Sequence, residues 1–294
     1  MKRREILGAT LAAVGAVAFH SEKSFASKSA IVSSSNNSLQ VEWLGQTCFL
    51  FTANGVKILV NPFRTIGCTL GYVKPKIEAD LVLISSYLWD EGAVEDLPGN
   101  PKILYDSGDY TINGLKIQGI SVAHDLEKGR QFGNNIAWQW KQGGIKILHL
   151  GGAAAPLGIE EKILMGSPDL ALIPVGGGPK AYNPTQAKQA LDVLKPKVMI
   201  PTQYLTQAAD KSSCDLVDVD QFLQLVNGYN ISRLPTNKIT ISPKDLPPKG
   251  TLIRVLNSDT LLAKNQKISD KVTPVNAPAK EPESKKNEKK KAIP

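Results

Sequence analysis

The residues whose side chains could catalyse a reaction or bind a metal lie in short polar clusters, each of which directly follows an apolar run. Asp90 and Glu91 follow one run, and His124 with Asp125 follows a second. Gln203 follows a third. One interpretation is metal binding, since Asp90, Glu91 and Gln203 carry carboxylate and amide oxygens, which are donors that suit a hard cation. His124 with Asp125 or Asp90 offers a second interpretation, metal-free acid–base catalysis. A third interpretation is structural, with His124 hydrogen-bonded in the core and the acidic pair capping a turn.

These clusters must be positioned by strands, because most of the apolar runs are short. The Asn54-Gly55 pair between two apolar runs predicts a hairpin. The uninterrupted apolar run 81–84 is typical of a strand covered on both faces. The predicted strands are 39–44, 47–52, 56–60, 81–84, 102–105, 115–122, 135–140, 145–150, 170–174, 198–200, 238–241 and 252–255.

Helical patterns occur only in the second half of the chain. Asn183, Pro184 and Gln186 provide an N-cap, a proline at the first helical position and a capping-box residue. Further helices are predicted at 159–165 and 217–226. Antiparallel strands followed by alternating strands and helices predict sheets with helices packed outside them.

The N-terminal 26 residues predict an export signal. Arg3 and Arg4 precede an uncharged stretch, 6–19, and Ala26 ends a segment suited to cleavage. The adjacent arginines resemble a twin-arginine signal, so we expect the mature protein in the periplasm or an equivalent lumen. An uncleaved anchor is the alternative, although the apolar run is short for a bilayer and no transmembrane helix is expected in the mature chain. Residues 27–38 are predicted to be a linker.

The basic charge is concentrated at the two ends. Of the formal +8, residues 1–26 carry +2 and residues 264–294 carry +5, which leaves +1 for the remainder. A nearly neutral central region argues against a specific nucleic-acid partner. The Lys- and Pro-rich segment 264–294 is predicted to be a disordered tail. It would act as a solubilising tail or as a contact for an anionic envelope surface.

Several segments, in order, resemble the metallo-β-lactamase superfamily. The closest resemblance is to the branch that contains the ascorbate-6-phosphate lactonase-like hydrolases. The similarity spans about 39–206, and it implies an α+β fold, a four-layer αβ/βα sandwich, for a domain at 39–263. The segments that carry it are 41–49, 58–63, 79–84, 122–125, 149–152, 173–177 and 201–204.

The same resemblance implies a damaged metal site. Asp90 and His124 match two of the family's ligand positions and are the residual metal candidates. Leucine and glycine supply no donor atom, and catalytic zinc requires about three protein ligands. Without a bridging carboxylate, water activated between two metals is not expected. The other family ligand positions are occupied by Ser86, Leu88, Glu91, Gly152 and Gln203.

Three cysteines permit at most one disulfide within the chain. Cys48 lies in an apolar strand, whereas Cys68 and Cys214 lie in loops containing glycine and serine. The family fold would bring these two loops to the same edge of the sandwich, so Cys68–Cys214 is the favoured pair. Free thiols or a crosslink to Cys48 are the alternatives.

The sequence therefore predicts an exported protein of this fold with a degenerate cleft. Its expected function is non-hydrolytic, as a binding or accessory protein for an unknown ligand or protein partner. The alternative is a hydrolase that uses one residual cation, or acid–base catalysis by His124 with Asp125. A third class is an interaction protein held at the envelope by its basic tail. No cofactor is expected beyond that single cation.

Overall fold

The structure is a computed structural model that describes residues 37–263. The predicted signal (1–26), most of the predicted linker and the predicted tail (264–294) lie outside the described residues. Three α-helices are present in the described part: α1 (Ile159–Met165), α2 (Pro184–Leu194) and α3 (Val219–Leu225). The strands there are β1 (Leu39–Gly45), β2 (Cys48–Ala53), β3 (Val56–Val60), β4 (Leu81–Leu83), β5 (Lys102–Leu104), β6 (Gly108–Ile112), β7 (Leu115–Ala123), β8 (Asn134–Gln142), β9 (Ile145–His149), β10 (Leu170–Pro174), β11 (Val198–Thr202), β12 (Asn230–Arg233), β13 (Lys238–Ile241) and β14 (Leu252–Val255).

Two mixed sheets form a sandwich around one apolar core. The first has the order β13-β1-β2-β3-β4-β5, and the second has the order β12-β14-β11-β10-β9-β8-β7-β6. Hydrogen bonds also join the sheets: the Trp138 indole N–H donates to the Ile84 carbonyl at 3.1 Å, and the Gln142 amide donates to the Val56 carbonyl at 3.0 Å. The predicted α+β sandwich is confirmed.

The N-terminus of α2 has the predicted cap. The Asn183 side chain accepts a hydrogen bond from the Gln186 backbone N–H at 2.9 Å. In return, the Gln186 side chain accepts from the Asn183 N–H at 2.9 Å. The reciprocal bonds satisfy two backbone donors that the helix itself cannot satisfy.

The described α-helices belong to the eight-stranded side of the sandwich. Helix α1 packs on β7, α2 packs on β10, and α3 packs on α2. The connections 61–80 and 84–101 on the other side contain no α-helix. Each contains prolines, which lack the N–H that a helix interior needs. The four-layer prediction places a layer of helices outside each sheet. Within residues 37–263, α-helices cover only the eight-stranded sheet.

Candidate functional site

The predicted site residues come together because several strands end at the same edge. The segment 86–91 follows β4, and His124 follows β7. Gly152 lies three residues after β9, and Gln203 directly follows β11. The strands β9, β10 and β11 are parallel, so their carboxyl ends share one edge of the sheet. This is the edge at which ligands bind in many α/β proteins.

A cleft of about 750 Å³ opens at this edge. Leu88, Asp90 and Gln203 line it, together with the aromatic residues Tyr87 and Trp89. Tyr204, which directly follows Gln203, instead packs against Trp43 in the core. Four other family ligand positions are buried and do not line the cleft: Ser86, Glu91, His124 and Gly152.

Glu91 is the centre of the buried group. The Ser86 hydroxyl donates to Glu91 Oε2 at 2.9 Å, and the Thr47 hydroxyl donates to Glu91 Oε1 at 3.4 Å. His124 Nε2 lies 3.5 Å from Glu91 Oε2, and neither ring nitrogen of His124 has a hydrogen-bond partner in the described part of the chain. The carboxylate is therefore held by hydroxyls on one side and faces an imidazole on the other.

Burial controls the protonation of this pair. Burial, followed by the nearby Asp90 charge, raises the pKa of Glu91 to about 7. Burial, followed by the Lys180 ammonium, lowers the pKa of His124 to about 4. Near neutral pH the imidazole is thus uncharged. The Glu91 carboxyl is partly protonated there, which suits a side chain that has little contact with solvent.

At Gly152 there is no space for a side chain. A Cβ added there would lie 2.5 Å from His124 Nε2 and 2.6 Å from Glu91 Oε1. It would also lie 2.9 Å from the Lys180 carbonyl oxygen. The family resemblance implies a bridging carboxylate at this position. Here the Glu91 carboxylate occupies the space into which that side chain would extend.

Asp90 already has a cationic partner. The Lys180 ammonium lies 2.5 Å from Asp90 Oδ2, and it also lies 6.0 Å from the centre of the Phe132 ring. Both charged groups line the cleft and are partly buried. The lysine therefore supplies the positive charge that a metal ion would otherwise bring to Asp90. The donors left around it do not fit a two-metal centre.

Asp125 organises a loop. Its carboxylate accepts hydrogen bonds from the backbone N–H groups of Glu127, Gly129, Gln131 and Phe132, at 2.8 to 3.0 Å. Burial opposes ionisation, but these four donors hold the pKa of Asp125 below its usual value. Within residues 37–263, every hydrogen bond of this carboxylate is thus made to the loop that follows His124.

His149 is a core residue with both ring nitrogens bonded. Nε2 lies 3.0 Å from the Thr47 carbonyl, and the Gly151 N–H donates to Nδ1 at 3.0 Å. Because Nδ1 accepts, the proton of the neutral ring is on Nε2. Burial lowers the pKa of His149 to about 4.

His149 should therefore make the fold sensitive to acid. Its folded pKa lies below the unfolded value of about 6.5, so stability is lost as pH falls from 6.5 towards 4. We expect His149→Gln, which does not titrate, to cost stability at pH 7. That cost should shrink by about 2 kcal/mol at about pH 4.5. Urea unfolding of both proteins at the two pH values measures this, and a cost independent of pH would contradict it.

The rim of the cleft carries the disulfide. Cys68 and Cys214 are bonded to each other, and both line the cleft. Cys48 is a free, buried thiol in β2. The bridge joins two loops that are far apart in the sequence, in the pairing favoured above.

Sequence reasoning did not identify three residues of the cleft. Gln46 and Lys180 line it, and the carboxylate of Asp215 stands at its rim. The position of Lys180 in the sequence could have indicated a place in the cleft, because it follows the Gly176–Pro179 turn after the buried strand β10. Nothing near Gln46 or Asp215 in the sequence indicates a binding role.

Comparison with known proteins identifies the family. The sequence profile of the β-lactamase superfamily domain matches residues 40–203, more than half of the chain. The chain therefore belongs to the metallo-β-lactamase superfamily. Its narrower resemblance to the ascorbate-6-phosphate lactonase-like branch stays a prediction.

Relatives of this chain are named as hydrolases. A UPF0173 metal-dependent hydrolase of Thermococcus onnurineus is 30% identical over 194 residues, which cover 57% of this chain and 85% of the relative. A structure from Thermotoga maritima, assigned to the Zn-dependent hydrolases of the superfamily, has a TM-score of 0.58 and 29% identity. That match covers 74% of this chain and 98% of the other. A Veillonella parvula structure at 11% identity and a TM-score of 0.53 shares the fold.

Proposed function

We propose that this protein binds a ligand in the cleft without hydrolysing it, and acts as a binding or accessory protein. One observation carries the proposal. The Glu91 carboxylate and the His124 imidazole fill the space beside Gly152 in which the bridging carboxylate would lie. A hydroxide shared by two metals requires that carboxylate and an open coordination position.

The donor set around the cleft supports the same conclusion. Leu88 brings no donor atom, and Asp90 is paired with the Lys180 ammonium. Within residues 37–263, no three His, Cys, Asp or Glu side chains are grouped in a way that could hold a metal ion. Binding of a metal ion at Asp90 would displace the Lys180 ammonium from a partly buried ion pair, and this displacement costs free energy.

The geometry gives little support to metal-free catalysis. His124 is 0% exposed and does not line the cleft, so a ligand there has no direct access to its ring. The carboxylate of Asp125 is engaged by four backbone donors. A general base must come within hydrogen-bond reach of the proton that it removes.

The names of the relatives favour the second candidate, a hydrolase that uses a single residual cation at Asp90, Glu91 and Gln203. Elemental analysis and turnover assays on the purified protein separate the two candidates. We expect well under one zinc per chain, a melting temperature that chelators leave unchanged, and no β-lactamase or lactonase turnover above background. A tightly bound divalent metal that Asp90→Ala or His124→Ala removes would instead contradict the proposal and favour the hydrolase.

We also propose that the protein works outside the cytoplasm. The Cys68–Cys214 disulfide supports this, because structural disulfides persist in oxidising compartments. The Arg3-Arg4 pair supports it independently. Changing both arginines to lysine should leave the precursor in the cytoplasm, where fractionation and immunoblotting would detect it. Normal export of the double variant would contradict the twin-arginine prediction, and the Lys2→Arg variant serves as the control.

A further inference from the structure

We propose that the proline-rich segment 274–282 of this chain binds over the mouth of its own cleft. The surface that it would cover, which we call the aromatic rim, consists of Tyr87, Trp89 and Tyr105. The inference goes beyond the proposed function, because it concerns a segment of this chain and not the ligand of the cleft. It depends on the exposure of the rim, on the place where the described chain ends, and on the chemistry of the segment.

The aromatic rim exposes a large apolar surface at the mouth of the cleft. Tyr87, Trp89 and Tyr105 are 70%, 58% and 45% exposed. The ring centres of Tyr87 and Tyr105 are 5.5 Å apart, and Ile66, another exposed apolar residue, lines the cleft with Tyr87 and Trp89. Apolar residues that are exposed together next to a cleft are typical of an interaction site.

The side chains of the rim are held outwards by the segment that carries them. Ser86 and Glu91, on either side of this segment, are buried and joined by a hydrogen bond of 2.9 Å. The Arg64 N–H donates to the Trp89 carbonyl at 2.8 Å, and Arg64 Cζ lies 4.7 Å from the centre of the Trp89 ring. A surface that is already ordered binds a partner at a lower entropic cost.

The described part of the chain ends close to the rim. The Ala263 N–H donates to the Gly71 carbonyl at 3.1 Å, and Gly71 follows Arg64, the neighbour of Trp89, by seven residues. Seven residues span at most about 25 Å. Pro274 follows Ala263 by 11 residues, which extend to at most about 40 Å. The segment that begins at Pro274 is therefore within reach of the rim without any change in the fold.

The residues of the segment suit an aromatic surface. Pro274, Pro278 and Pro282 recur every four residues, and the residues between them include Val275 and Lys280. Proline-rich segments are recognised by surfaces lined with aromatic side chains, and their fixed φ angles reduce the entropy lost on binding. The covalent connection raises the effective concentration of such a segment to the millimolar range.

The charges near the rim also favour this segment. Residues 264–294 carry a formal charge of +5. Asp106, which directly follows Tyr105, and Asp215, which lines the cleft, are both exposed. Within the described part of the chain, neither carboxylate forms an ion pair, whereas Lys180 does. The lysines of the segment would therefore meet two carboxylates that lack a partner there, and salt would weaken this attraction.

Tryptophan fluorescence reports directly on the rim. Among the four tryptophans of the chain only Trp89 is exposed, since the other three are at most 2% exposed: Trp43, Trp138 and Trp140. Quenching by acrylamide, a neutral molecule, therefore measures the access of solvent to Trp89 in the full mature chain. With a Kd and an effective concentration both in the millimolar range, the rim should be covered for a large part of the time.

The test compares the wild type with a triple variant of the full mature chain in which the prolines of the segment are replaced: Pro274→Ser, Pro278→Ser and Pro282→Ser. We expect acrylamide to quench the triple variant about twofold to threefold more strongly, because serine removes the apolar ring that packs on the rim. The matched control is Pro294→Ser, which changes the remaining proline of residues 264–294 and should leave quenching unchanged. Trp89→Phe should abolish the difference between the wild type and the triple variant.

A synthetic peptide of residues 272–283 tests the same contact between separate molecules. Added to the triple variant, it should restore the weaker quenching of the wild type with a Kd on the order of millimolar. Equal quenching of the wild type and the triple variant would overturn the inference. Protection of Trp89 that persists in the triple variant and grows with protein concentration would also overturn it, because a second copy would then cover the rim. Neither result bears on the proposed function, which depends on the metal and turnover assays.

Discussion

Replacing Cys68 and Cys214 together by serine is expected to lower the free energy of unfolding by about 5 kcal/mol. The two cysteines are 146 residues apart in the sequence, so the bridge closes a very long loop of the unfolded chain. Removing a crosslink increases the conformational entropy of the unfolded state, and the gain grows with the logarithm of the loop length. A loss of this size is a large part of the stability of an ordinary domain.

Urea unfolding of the oxidised wild type and the double variant measures the loss. A reducing agent should lower the wild type to the level of the variant and should not affect the variant. Cys48→Ala, which changes the buried free thiol, is the matched control and should keep its response to reduction. Equal unfolding midpoints for the oxidised wild type and the double variant would contradict the prediction.

Most of the strands could be predicted because their side chains are buried in a regular pattern. The runs that became β2, β4 and β10 are nearly continuous apolar segments, and burial explains each of them. Strands β6 and β12 were not predicted. They lie at the two edges of the eight-stranded sheet, and most of their side chains are exposed or half-buried. Pairing with β7 and β14 makes them strands, and that information is not local.

The site could be predicted only in part for the same reason. The family resemblance indicated which positions would correspond to metal ligands, and the residues at those positions lie at one edge of the sandwich. It did not indicate that Lys180, 90 residues from Asp90 in the sequence, would pair with it. Nor did it indicate that Glu91 would turn towards Gly152. Both facts depend on tertiary packing, which the order of motifs does not encode.

Gly152→Ala is expected to destabilise the protein by about 3 kcal/mol. The backbone of Gly152 is not in the left-handed region, so alanine is not excluded by conformation. The cost is steric, since the new Cβ would lie 2.5 Å from His124 Nε2 and 2.6 Å from Glu91 Oε1. Both side chains are buried, and a close-packed interior has no room into which they could move.

Gly228→Ala is the matched control, because a Cβ there has no neighbour within 4 Å and its backbone is not left-handed either. It should change stability by no more than about 0.5 kcal/mol. In a Glu91→Ala background the cost of Gly152→Ala should fall, since one of the two side-chain clashes is removed while the Lys180 carbonyl contact stays. The two single variants and the double variant, unfolded in urea, complete this cycle.

Additive effects of Gly152→Ala and Glu91→Ala would mean that Glu91 does not occupy the space beside Gly152, and the observation that carries the proposed function would be lost. A strong coupling would also affect any attempt to build a metal site at this position. Gly152→Asp alone would place a second carboxylate against Glu91 in a buried space, where like charges repel and burial disfavours both. A carboxylate at position 152 should therefore be introduced together with Glu91→His, a change that removes the competing carboxylate and supplies the histidine that the family resemblance implies at this position.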